Sequence, residues 1–354
     1  MTVDTPIKIK IINKLDWPDE AGLRVRPFRS AADFSRMVEI INARNAINEV
    51  EEVMSVDELA NEYAHLQNCD PLLDMVFIEK GELLIAFGGI EWRIDDEGQR
   101  RFDSEVQIDP AWKHLGLMRP LYLFCEERAR QLTLSDPMNN ISSYINTWLP
   151  EQAQSETRLV ESLGYQSVRH FFTMQHNLRQ LPDMPLPAGI EIRPVQKPDH
   201  LRPIWDTKEA AFADHWGHAQ RNEEDFQRWC KTPTFEHNLW QVAWDVSNNS
   251  VAGVSINSIY YEDNKHYGFQ RGWIDTLGVR REWRGRGLAK ALLVRSLRLL
   301  KGKGMAEGML GVDASNPTGA LQLYEKVGFS VYKRSRVWRK TIVSHESQVM
   351  NQES

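Results

Sequence analysis

Cysteine is scarce in this 354-residue chain. It occurs three times, at Cys69, Cys125 and Cys230, never as a C-x-x-C pair. That spacing offers neither a disulfide framework nor a thiolate metal site. The ten histidines are scattered and no H-E-x-x-H string occurs, so a metal ion is not expected. No uncharged apolar run approaches the length needed to cross a bilayer, which argues against a membrane partner. The most apolar helical segment, Leu288 to Leu300, is interrupted by Lys290, Arg295 and Arg298. No P-loop string is present, and Lys290 stands where a dinucleotide fingerprint would need its third glycine. Positive charge is in deficit: the net charge is −6, which argues against a nucleic-acid partner. An odd cysteine count and the lack of a secretory leader give a reducing, cytoplasmic compartment as the expectation.

Hydrophobic residues make up 42% and charged residues 26%, a balance that suits globular cores. The length favours two domains over one. The most informative stretch runs RREWRGRGLAKALLVRSLRLL, from Arg280 to Leu300. The β-branched and aromatic run WIDTLGV precedes it, and an apolar periodic segment follows it. The predicted order is therefore strand, glycine-rich basic turn, helix. A helix start of this kind offers unpaired N–H groups and a positive dipole end to a phosphate. Gly285 and Gly287 let the backbone approach such a ligand closely.

About thirty residues on lies VDASNPTGALQLYEKVGF, Val312 to Phe329. It reads as a strand, an Asn-Pro helix start at 316–317, a helix carrying Tyr324, and a Gly328-Phe329 exit. The string Arg284-x-x-Gly287-x-Ala289, followed at this distance by Asn316 and Tyr324, resembles the GNAT (GCN5-related) N-acetyltransferases. The resemblance implies an α/β (α+β) fold with a central mixed, mostly antiparallel sheet flanked by helices. It implies acetyl transfer from acetyl-coenzyme A to a primary amine of a small molecule. Leu277, Gly278, Val279, Arg284, Gly285, Arg286, Gly287, Leu288, Ala289 and Asn316 would then bind the coenzyme. Tyr324 would protonate the leaving thiolate.

The general base stays open at this level. Asp275, expected on one strand face with Trp273 and Leu277, is the first candidate. Glu209, Asp214 and His215 are alternatives. His215, Trp216 and Trp273, with Phe212 and His218 nearby, are expected to face the acceptor.

The chain also reads as a duplication. Arg26-Pro27 recurs as Arg193-Pro194, a period of about 165–170 residues. Helical stretches follow each, from Ser55 and from Asn222, and then strand pairs turning at Lys80-Gly81 and Asn248-Asn249. The expected organisation is a GNAT-like domain at 20–178, a proline-rich linker at 179–189, a catalytic domain at 190–340 and a disordered tail at 341–354. In the first copy Trp112 and Gly116 match Trp283 and Gly287. Lys113, His114 and Leu115 replace Arg284, Gly285 and Arg286; Gln152 replaces Asn316 and Val160 replaces Tyr324. Valine has no proton to give, so the first copy is expected to keep the fold and lose catalysis. This plan is similar to that of tandem GNAT proteins, which implies a monomer or a homodimer. The alternative is a non-catalytic acyl-coenzyme A sensor, although binding alone requires neither Tyr324 nor Asn316.

Overall fold

The computed structural model describes residues 15–135, 141–213, 215–217, 221–316 and 319–342. In the first half the strands are β1 (Leu23–Arg26), β2 (Met75–Lys80), β3 (Leu83–Ile94), β4 (Arg100–Ile108), β5 (Ser143–Pro150) and β6 (Gln166–His176). The helices there are α1 (Phe34–Ile47), α2 (Val56–Tyr63), α3 (Pro71–Asp74), α4 (Met118–Leu134) and α5 (Gln154–Ser162). The second half repeats the plan with β7 (Ile190–Arg193), β8 (Gln241–Asp245), β9 (Ser250–Ser258), β10 (Arg271–Val279), β11 (Glu307–Asp313) and β12 (Ser330–Ile342). Its helices are α6 (Leu201–Phe212), α7 (Glu223–Cys230), α8 (Tyr261–Tyr267), α9 (Leu288–Gly302) and α10 (Ala320–Val327).

Matching local chemistry starts the matching helices. Ser55 and Asn222 each cap the N3 backbone N–H of α2 and α7, and Glu58 and Asp225 bond back to the cap residue. Two orphan donors are satisfied at each end, which fixes where each helix begins. The hairpin turns also fall where expected, with Gly81 and Asn249 in the left-handed region.

The chain forms two compact units. One holds the described residues up to Val168 and those from Arg336 on; the other is Arg169–Ser335. The first sheet runs β1-β2-β3-β4-β5-β12 and the second β7-β8-β9-β10-β11-β6. Three antiparallel pairings lead in each case to one parallel pairing, β4 with β5 and β10 with β11. Helices flank the sheets: α1 and α4 pack on β3 and β4, and α6 and α9 on β9 and β10.

The chain leaves each unit inside a strand instead of at the linker expected over 179–189. Strand β6 closes the second sheet, pairing Phe171–His176 antiparallel with Gly308–Asp313. The end of β12 serves the first unit, where Arg339 Nε donates to Asn146 Oδ1 at 3.0 Å. The proline-rich segment is bound along α9. Arg298 donates to the Pro182 carbonyl at 2.7 Å and Lys301 to the Arg179 carbonyl at 3.0 Å. Leu181, Met184 and Leu186 pack against the second unit's apolar clusters, so this stretch belongs to a core and does not behave as a free spacer.

Candidate functional site

The parallel strands of the second unit part company. Strand β10 pairs with β11 only from Arg271 to Ile274, then continues to Val279 while β11 continues to Asp313. The two strands open into a V. Along Asp275–Val279, the β10 edge facing that opening lacks ladder bonds to β11.

A bulge sits at the start of the V. Trp273 and Ile274 face Ser258 and Asn257 on β9, but Thr276 faces Ile256, so Asp275 is an extra residue without a ladder partner. Such an insertion re-aims side chains and breaks the period of two. Leu277 consequently pairs with Ser255, at an odd spacing from Ser258, and lies on the face opposite Trp273. The expected common face of Trp273, Asp275 and Leu277 is therefore not formed. Leu277 packs its side chain against the apolar clusters beneath α9. Gly278 lies under α6, where an added Cβ would come within 2.8 Å of the Ala211 Cβ.

Asp275 has solvent-open surface, yet protein atoms crowd it on its other sides. That crowding pushes its pKa up to about 6, against the pull of two donors. Ser258 Oγ donates to Oδ2 at 2.5 Å and Tyr260 Oη to Oδ1 at 3.2 Å. Sequence reasoning missed both donors. Their signal was the alternation of β9, which places Ser258 opposite Trp273, but the bulge that brings Asp275 to them leaves no sequence mark. Trp273 lies edge-on to Tyr260, with ring centroids 6.3 Å apart.

The expected phosphate loop follows β10. A short 3-10 turn, Arg281–Trp283, leads to an extended Arg284, then Gly285 at φ +74° and Gly287 at φ +82°, the latter capping α9. Two left-handed positions two residues apart select glycine strongly. A Cβ built on either would meet no atom within 4 Å, so both glycines border open space. Trp283 anchors the turn in an apolar cluster with Val279, Leu288 and Leu292, and Ala289 packs beside it. The arginines divide in role. Arg284 turns inward, donating to the Val279 and Ala211 carbonyls at 3.3 Å each, and ties the loop to β10 and α6. Arg280 Nε donates to Thr207 Oγ1 at 3.1 Å. Arg286 stays exposed over the Trp283 ring, 4.8 Å from its centroid.

Helix α10 packs against β11 and α9 and carries Tyr324, which is 8% exposed. Burial pushes its phenol up to about 12. Among the described residues its hydroxyl has no hydrogen-bond partner, so its proton is free for a ligand. Helix α10 begins at Ala320 after a left-handed Gly319, later than the Asn-Pro start expected at 316–317. Asn316 stands in the loop after β11, its N–H donating to the Asp313 carbonyl at 3.1 Å.

The acceptor-side candidates fall into two groups. Glu209 is paired with Lys208 at 2.6 Å on α6 and is thereby engaged. Asp214 and His218 lie outside the described residues. His215 stacks on Phe212, centroids 4.3 Å apart. Trp216 lies against Phe171 and beneath Arg169, whose guanidinium grips Asp313 at 2.8 Å. Asp313 ends β11, so this cluster brings the segment after α6 to the open end of the V. Arg169 and Asp313 were missed because they lie 144 residues apart, joined only by the pairing of β6 with β11. Among the described residues, no cluster of three or more His, Cys, Asp or Glu is placed to hold a metal.

The first unit has the opening without the fittings. Strands β4 and β5 pair only from Arg100–Ser143 to Asp103–Asn146, but β4 meets β3 in unbroken register, with no bulge. The loop before α4 is one 3-10 turn over Pro110–Leu115, with a single left-handed residue at Gly116. His114 is not left-handed, so the backbone path of Gly285 is not reproduced. Val160 is fully buried in the core.

A strand-bulge-loop-helix site of this geometry, on one of two repeats of the same sheet plan, defines a class, and comparison with known proteins agrees with it. Residues 201–329 match the family model for the acetyltransferase (GNAT) family. Residues 201–329 thus form a GNAT-type acyltransferase domain, and the chain as a whole is similar to acetyltransferases of that family. Among curated relatives it is similar to the mycothiol acetyltransferase of Thermobifida fusca, 28% identical over 250 residues, 65% of this chain and 72% of the relative. The mycothiol acetyltransferase of Renibacterium salmoninarum is 27% identical over 254 residues, 70% of each chain. Among solved structures, a GCN5-related N-acetyltransferase from Sphaerobacter thermophilus superposes with a TM-score of 0.67 at 25% identity, covering 92% of this chain and 97% of that one. A tandem GNAT protein from the clavulanic acid biosynthesis pathway shares the fold, with a TM-score of 0.64 at 13% identity, covering 91% and 99%.

Proposed function

We propose that the second unit moves an acetyl group from acetyl-coenzyme A to the primary amine of a small molecule, by direct attack in a ternary complex. The observation that carries this reading is the V between β10 and β11, with a bulged carboxyl at its apex, a double left-handed glycine loop beyond β10 and an unpartnered tyrosine on the helix after β11. The N–H groups from Gly285 to Ala289 and the exposed Arg286 suit a pyrophosphate. Arg284 positions the loop, its N–H donating to the Arg281 carbonyl and its side chain to the Val279 and Ala211 carbonyls. The β10 edge at Leu277–Val279, with no β11 ladder, offers N–H groups to the thioester oxygen as it gains charge.

A free alkylammonium holds its proton to a pH of about 10, so the acceptor needs a base. Asp275, raised toward neutrality, is ionised at pH 7 and more basic than an ordinary carboxylate. The amine nitrogen forms the new C–N bond, the C–S bond breaks, and Asp275 takes the amine proton directly or through water. Tyr324 passes its phenol proton to the departing thiolate and recovers one from solvent. The desolvation that raises the phenol also raises a thiolate's proton affinity, which keeps that transfer balanced. His215, Trp216 and Trp273 are the side chains offered to the acceptor. Since the curated relatives are named mycothiol acetyltransferases, the acceptor acetylated by those enzymes is the first amine to test. The first unit is proposed to lack coenzyme binding.

Calorimetric titration with acetyl-coenzyme A tests this, alongside a Gly287→Glu variant and followed by mass-spectrometric acetylation of an amine panel. One site per chain, lost in the variant, supports the reading. Two sites would assign a coenzyme to the first unit, and none would remove the reading. Binding without acetylation of any amine would leave an acyl-coenzyme A sensor.

A further inference from the structure

We propose that the first unit carries a binding site for a small phosphorylated metabolite, separate from the acyl-transfer opening. The site is a cavity of about 280 Å³ where the end of β5, the first turns of α5 and the last part of β12 meet. Arg158 and Arg336 line it with Gln154 and Thr157. Among the described residues neither arginine has an ion-pair or hydrogen-bond partner. Two uncommitted guanidiniums beside one cavity outnumber its single lining carboxylate, exposed Glu151. Guanidinium forks match phosphate oxygens in pairs, which favours this anion over a compact halide.

Trp338, 4% exposed, closes part of the cavity wall.

The second unit shows that the fold does not require the cavity. Aligning Val160 with Tyr324 places Thr157 on Leu321 and, at the same offset, Arg336 on Phe172. Leu321 and Phe172 pack against the second unit's apolar core. The same positions thus hold an apolar plug in one copy and an arginine-lined hollow in the other.

Inorganic phosphate and glycerol 3-phosphate, titrated calorimetrically into the full chain, provide the test. The Gly287→Glu background silences phosphate binding at the glycine loop. The expected result is one phosphate site per chain in that background, at least tenfold weaker in Arg336→Gln and in Arg158→Gln. It should be lost in the filled variant Thr157→Leu/Arg336→Phe, which keeps its circular dichroism. Arg158 is exposed on a helix surface, so its variant carries the test if Arg336→Gln fails to fold. Affinity unchanged in the arginine variants, no phosphate binding in the Gly287→Glu background, or acetate binding as tightly as phosphate would each overturn the proposal.

Discussion

Replacing Asp275 by Asn separates what this carboxyl does for chemistry from what it costs the fold. Its pKa is pushed up to about 6 from an ordinary 3.8. That gap of just over two units corresponds to about 3 kcal/mol at 1.36 kcal/mol per unit. Much of the residue's surface is open to water, and solvent screening brings the figure down to about 1 kcal/mol. Below pH 4 the carboxyl is neutral folded and unfolded, and carries no penalty. Above pH 6 it is charged in both states and the fold bears the full penalty, so its contribution to stability falls as pH rises from about 4 to about 6. Asp275→Asn is therefore expected to match the wild type in melting temperature at pH 4 and to exceed it by about 2–4 °C above pH 6. Its rate should fall about 100-fold, at the low end for a lost general base, because water reaches the site. The acid limb of kcat/KM near pH 6 should vanish with it. Differential scanning calorimetry across pH 4–8 and a pH–rate profile read both. A melting-temperature difference constant across that range, or an acid limb that survives, would refute the reasoning.

The remaining expectations are simpler. Tyr324→Phe should lower kcat at least tenfold and leave acetyl-coenzyme A affinity within twofold; because the hydroxyl has no internal partner, unfolding free energy should move by less than about 0.5 kcal/mol. Gly287→Ala places a Cβ on a left-handed residue beside open space; a loss of about 1–2 kcal/mol in stability and a raised KM for acetyl-coenzyme A are expected from thermal melts and steady-state kinetics. Gly278→Ala would force α6 off β10 at the 2.8 Å approach to Ala211. It should cost about 1–3 kcal/mol by chemical denaturation and reduce kcat, because the same strand edge faces the V.

The parts of the site that local chemistry fixes were legible in the sequence. Capping pairs at Ser55 and Asn222, turns at Gly81 and Asn249, and the strand–glycine loop–helix order each depend on residues a few positions apart. The features that give the site its shape depend on partners far along the chain. The bulge at Asp275 is a mismatch between β9 and β10 and is invisible to alternation, so Trp273 and Leu277 were wrongly placed on one face. Arg284 was expected among the coenzyme-binding residues, and its side chain donates to carbonyls of β10 and α6, partners that no local pattern marks. The start of α10 moved because Gly319 can adopt the left-handed cap conformation directly before Ala320. The proline-rich segment 179–189 read as a spacer from composition, yet its leucines and methionine are partly buried against the second unit's apolar clusters.

The exchange of final strands bears on how this duplicated gene can change. Each repeat's sheet is completed by the last strand of the other repeat: β6 lies beside β11, and β12 beside β5. A half-chain cut at the proline-rich segment would carry one strand too many for its own fold and lack another. Loss of either repeat would leave the other's sheet without its closing strand, even if one repeat performs no reaction. The first repeat therefore has a structural task, the supply of β6, that is independent of any reaction of its own.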